Sequence, residues 1–154
     1  MTAWSSPGSS VDVLCALCRR ELAAIESYRQ ALNSSNLRSH AGPLATCLRS
    51  HEQRAEFLKA RIRHLHAEPP NSAGARGTFV KMLEGAAAAI GPKVAIMALE
   101  DEEDRDLRNY RAKLMDVDPE SQLLLQEQVL PAQLETHRII STLKHGAEIR
   151  AHGA

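Results

Sequence analysis

The chain has 154 residues, enough for one domain with a real core, and its 19 Lys and Arg balance its 19 Asp and Glu. A nucleic-acid binder would show a basic excess, and no apolar run approaches the length of a membrane span or marks a signal peptide, so neither class is supported. Aromatics at 3% and abundant Ala, Leu, Glu and Arg favour helices and starve strands. Three cysteines without a secretion signal fit a reducing compartment, so a cytoplasmic protein is expected.

Residues 1–9 read as a polar tail. Ser9 or Ser10 can cap a first helix over 10–33, whose inward stripe is Leu14, Leu17 with Cys18, Glu21, Ile25, Tyr28 and Leu32. Turn-forming residues from Asn33 to Asn36 end it. A second helix over 43–67 opens at Pro43 and stops before Pro69 and Pro70, with Leu44, Leu48, His51, Ala55, Leu58, Ile62 and Leu65 inward. The Pro-, Gly- and Ser-rich stretch 68–77 is a loop, after which Thr78 can cap a short helix near 78–90. Gly91 and Pro92 separate that helix from a third over 92–116, with Ile96, Leu99, Glu103, Leu107, Tyr110 and Leu114 inward. Asp118, Pro119 and Glu120 form a strong start signal for a fourth helix over 119–145. Its expected stripe is Leu123, Glu127, Leu130, Leu134, His137 and Ser141. Pro131 within it removes one backbone donor and predicts a kink, and residues 147–154 read as a frayed end.

Short turns make antiparallel hairpins of the first and second helices and of the third and fourth, and a long crossover with its own helix joins the hairpins. A half-repeat runs through this pairing. Residues 20–32 and 102–114 share Glu21/Glu103, Tyr28/Tyr110, Arg29/Arg111 and Leu32/Leu114. Seven residues make about two turns, so each acid shares a stripe with its tyrosine. Each segment is followed by Leu-x-x-His, as Leu48/His51 and Leu134/His137. The acids lie 82 residues apart and the histidines 86, a difference of about one turn that loops can absorb. The expected fold is therefore an all-α, duplicated four-helix bundle with a polar centre.

These residues resemble the ferritin-like superfamily, in which a Glu on the first and third helices and Glu-x-x-His on the second and fourth hold two metal ions. Glu21 and Glu103 match the single acids, and His51 and His137 match the histidines. Leu48 and Leu134 stand where the bridging acids would be. More narrowly, Val11 to Leu143, with the Glu-x6-Tyr spacing and His51-x2-Arg54, resembles an uncharacterised bacterial branch of that superfamily, usually described only as a domain of unknown function. The resemblance implies a ferritin-like bundle. Without bridging carboxylates, two hard cations about 4 Å apart cannot be neutralised, so a ferroxidase-type centre is not expected. Two readings stay open. Glu21, His51, Glu103 and His137 can hold one divalent ion, zinc or iron, with Tyr28, Arg54 and Tyr110 around them. Alternatively they form a metal-free network, with Glu21 paired to His51 or Arg54 and Glu103 to His137 or Arg138.

Cys15 and Cys18 lie inside the first helix, away from its N-terminus, and read as buried small residues, not as a redox pair. The acid run from Glu100 to Asp106 lacks the glycine-bearing loop of a calcium site. No Ser/His/Asp order, phosphate loop or dinucleotide fingerprint occurs. The expected function is a non-catalytic structural or interaction module with the relic of a di-metal site. A single-metal binder is the alternative, and a di-iron redox enzyme is the least favoured. A homodimer is expected, through the crossover with its Phe79, Val80 and Leu83 or through the face of the first two helices.

Overall fold

The computed structural model describes residues 7–74 and 91–153, and within them the chain forms helices and no strand. Helix α1 spans Pro7–Asn33, α2 Ala41–His64, α3 Pro92–Lys113, α4 Pro119–Leu124 and α5 Leu130–His152. A 3-10 segment, Ser35–His40, joins α1 to α2, and another, Leu114–Asp116, follows α3. A π-turn, Leu125–Val129, runs α4 into α5, so these three pieces act as the fourth long rod. The short helix expected near 78–90, with Phe79, Val80 and Leu83, falls outside the described residues. Among the described residues, no helix is long and apolar enough to cross a membrane.

Local chemistry explains most helix ends. Pro92 opens α3 and Pro119 opens α4, where a missing N–H costs nothing. Asp118 caps α4 by accepting the Ser121 backbone N–H at 3.1 Å and the Ser121 hydroxyl at 2.6 Å. Its other partner is Arg61 near the end of α2, whose Nη2 donates at 2.7 Å. Two ends differ from expectation. α1 starts at Pro7, before the serines expected to cap it, and Ser10 is buried with its hydroxyl accepting the Asp118 N–H at 2.8 Å. α5 continues to His152 instead of fraying after 146. Gly146 weakens a helix by about 1 kcal/mol without forbidding it, and the Ala, Glu and Arg that follow favour continuation.

Pro131 is accommodated by the π-turn immediately before it. Proline cannot donate to the carbonyl four residues back, and a wider turn relieves the clash with that carbonyl. The wider turn also admits one extra residue, so Leu125, Val129 and Gln133 are all buried at steps of four. The expected stripe of the fourth helix is thereby corrected. Leu123 and Leu134 are exposed, at 52% and 44%, while Leu125, Val129, Gln133, Thr136 and Ile140 face inward.

Two apolar layers show which helix ends meet. In one, Leu14 and Leu17 of α1 pack with Leu58 and Ile62 of α2, Tyr110 of α3, and Leu125 and Val129 of the fourth rod. In the other, Tyr28 and Ala31 pack with Leu44 and Cys47, Ala95, Ile96 and Leu99, and Ile140. The start of α1 therefore lies beside the ends of α2 and α3 and the start of the fourth rod. α1 is antiparallel to α2 and α3, whereas α2 and α3 run the same way. Each fully buried Leu or Ile contributes roughly 1.5–3 kcal/mol. Between the layers lies a polar level. Asp118→Ala should lower stability by about 1–2 kcal/mol in a urea titration, because a helix cap and a tie to α2 are lost together. A change within a few tenths would show that Asp118 is only a surface acid.

Candidate functional site

At the polar level each helix contributes side chains one or two turns apart. α1 brings Glu21 and Tyr28, α2 brings His51 and Arg54, α3 brings Glu103 and Tyr110, and α5 brings Gln133 and Thr136. All eight are buried. The spacings of seven on α1 and α3, and of three on α2 and α5, place each pair on one inward stripe.

His51 is the hub. Its Nδ1 lies 2.7 Å from Glu21 Oε2 and its Nε2 lies 2.8 Å from Glu103 Oε1. Both ring nitrogens face a carboxylate, so both carry a proton and His51 is an imidazolium. Burial and the nearby Arg54 oppose that charge, but Glu103 and Glu21 outweigh them and raise the His51 pKa to about 9. Arg54 Nη1 approaches Glu21 Oε1 at 3.6 Å and donates a short bond to Gln133 Oε1. Its Nη2 is 2.9 Å from His51 Nδ1, but that nitrogen's proton points to Glu21, so Nη2 donates to Thr136 Oγ1 at 3.3 Å.

Every carboxylate oxygen of the pair accepts at least one protein donor. Glu103 Oε1 accepts the Tyr28 hydroxyl at 2.6 Å as well as His51, and Oε2 accepts Gln133 Nε2 at 2.7 Å and Thr136 Oγ1 at 2.8 Å. Glu21 Oε1 accepts a short bond from the Tyr110 hydroxyl while Oε2 faces His51. Burial pushes Glu103 up, but His51, Arg54 and Tyr28 hold it at about 2. Glu21 is likewise held below the ordinary range, with Arg54 and His51 overcoming burial. Both tyrosines are pushed up, by burial first and by the carboxylate each one meets, so they remain neutral donors.

The tyrosines cross. Tyr28 on α1 serves the acid of α3, and Tyr110 on α3 serves the acid of α1. A single shift of 82 residues relates the halves: Glu21 to Glu103, Tyr28 to Tyr110, His51 to Gln133 and Arg54 to Thr136. His51 meeting Glu21 thus maps onto Gln133 meeting Glu103, and Arg54 beside Glu21 maps onto Thr136 bonding Glu103.

Of the four candidate ligands, the structure brings Glu21, His51 and Glu103 together and leaves His137 out. His137 is a quarter exposed, and its Nε2 faces Asp104 at 3.7 Å. Leu134, expected at the centre, is exposed, and Leu48 is only half-buried at the edge of the second apolar layer. Arg138 pairs with Glu135 on its own helix. Gln133 and Thr136 were not anticipated. Leu-x-x-His matched at a shift of 86, whereas the spatial shift is 82, and that shift over His51-x-x-Arg54 was the available signal. Among the described residues, no three His, Cys, Asp or Glu converge as a metal would need. The Glu21 and Glu103 oxygens that face the centre each accept a protein donor, and His51 and Arg54 lie between the two acids.

No family model matches the chain, and comparison with curated proteins and with solved structures finds no match.

Removing either crossed hydroxyl leaves a buried carboxylate one donor short. Tyr28→Phe and Tyr110→Phe should each lower stability by about 1–3 kcal/mol in chemical denaturation. Combined, they should show coupling, because both act through His51. Two variants indistinguishable from the parent would show that the hydroxyls are not bonded in solution.

Proposed function

We propose that the protein is a non-catalytic, ferritin-like four-helix-bundle module whose centre is the relic of a di-metal site. Its His51 and Arg54 cations stand where metal charge would balance the two acids. The observation that carries this reading is that every oxygen of Glu21 and Glu103 already accepts a protein donor. Catalysis needs a group held short of its partners and open to a substrate. Here the titratable groups are sealed within 1% of full burial and matched in charge. The helix directions, with α2 and α3 alike, support the ferritin-like part of the proposal. Its surface role is structural or interactive, in a cytoplasmic homodimer. The exposed Val94, Met97, Leu134 and Ile149 of the second hairpin offer apolar surface for a second copy.

Elemental analysis of untagged protein tests the metal-free centre. It should find well below one zinc or iron per chain, and added zinc, added ferrous ion or EDTA should leave Tm unchanged within about 1 °C. One ion per chain with a raised Tm would overturn the proposal.

The centre also sets a pH profile. The Glu103 pKa is lower folded than unfolded, so its contribution is present above the ordinary value of 4.5 and is lost as pH falls through about 2. The His51 pKa is higher folded, so its contribution is present below 6.5 and is lost as pH rises through about 9. Urea midpoints should therefore fall on both sides of a mildly acidic optimum. A His51→Gln variant should lose the alkaline limb between about pH 7 and 10, and an unchanged limb would assign it to other groups.

A further inference from the structure

The fourth rod is tied to α2 at two places. Near its start, Arg61 Nε donates to the Ser121 hydroxyl at 2.8 Å. Farther along, Arg54 Nη1 donates to Gln133 Oε1, and its Nη2 donates to Thr136 Oγ1 at 3.3 Å. The attachment points on the rod, Ser121 and Gln133, are both fully buried. On α2 the two arginines stand seven residues apart, about two turns, so they share one stripe. The rod must answer with a single stripe of its own, and an unbroken α-helix would not supply it. Ser121 and Gln133 are twelve residues apart, and twelve steps of about 100° leave them roughly 120° out of line.

The π-turn between them removes the conflict. The Leu130 N–H bonds the Leu125 carbonyl five residues back, so this turn takes up one extra residue. The remaining eleven effective steps bring Ser121 and Gln133 to within roughly 20° of each other. Leu125 and Val129 fall on the same line and are buried in the first apolar layer. The slack is carried on the outside of the turn, where Gln126, Glu127 and Gln128 are exposed. We propose that the π-turn is a register spacer, imposed by the two ties to α2 and not by Pro131. An unbroken helix that kept Ser121 on Arg61 would swing Gln133 away from Arg54 and Glu103. One that kept Gln133 in place would swing Ser121 away from Arg61. Either loss strands buried polar groups that the wide turn keeps bonded.

Two variants of the full-length protein test the spacer. Pro131→Ala alone separates the two causes, because alanine restores the missing donor and lifts the steric demand for a wide turn. The ties should still hold the turn, so a crystal structure of this variant should keep the hydrogen bond from Leu130 to the Leu125 carbonyl. A continuous α-helix there overturns the proposal. The second variant adds deletion of the exposed Glu127 to Pro131→Ala. With the extra residue gone, an unbroken helix carries Ser121 and Gln133 on one stripe, so its urea midpoint should equal or exceed that of Pro131→Ala. A lower midpoint, or a failure to fold, means that the deletion turned one tie away from α2, and overturns the proposal.

Discussion

The clamp of His51 between Glu21 and Glu103 is the constraint on which the bundle turns. One imidazolium bridges two carboxylates from different hairpins at 2.7 and 2.8 Å. Charges so deep are tolerated only when every one is matched and bonded. Arg54 supplies the second positive charge, so two acids meet two bases in a neutral group. Such a group adds little net stability over an apolar core, but it penalises any other helix register, because a slip of one residue would strand a charge. The apolar layers on either side supply the stabilisation, and the clamp sets the alignment.

The surroundings are chemically quiet. Cys18 and Cys47 lie in the two apolar layers, and burial raises their thiols to about 11 and about 12, far from the thiolate form that reacts.

The fold was largely legible in the sequence because helix stripes, proline starts and the Asp118 cap are local signals. Leu14, Leu17, Glu21, Ile25 and Tyr28 are buried on α1, and Ile96, Leu99, Glu103, Leu107 and Tyr110 on α3, as the periodicity required. The site was half legible. Charged residues on an apolar stripe attract notice, so Glu21, His51, Glu103 and Arg54 were found. Gln133 and Thr136 are neutral and carry no such mark. The π-turn before Pro131 moved them inward and turned Leu134 and His137 outward, and a one-residue widening of a helix leaves no local trace beyond the proline itself.

The two halves are chemically lopsided, and that asymmetry decides which halves can associate. The first hairpin brings one acid and two cations to the centre, whereas the second brings one acid with Gln133 and Thr136. Two first hairpins joined together would bury four cations against two carboxylates. Two second hairpins would bury two carboxylates facing only amides and hydroxyls. Only unlike halves cancel. The difference between His51 and Gln133 and between Arg54 and Thr136 therefore makes the pairing of the hairpins discriminate self from complement, by repulsion as much as by fit.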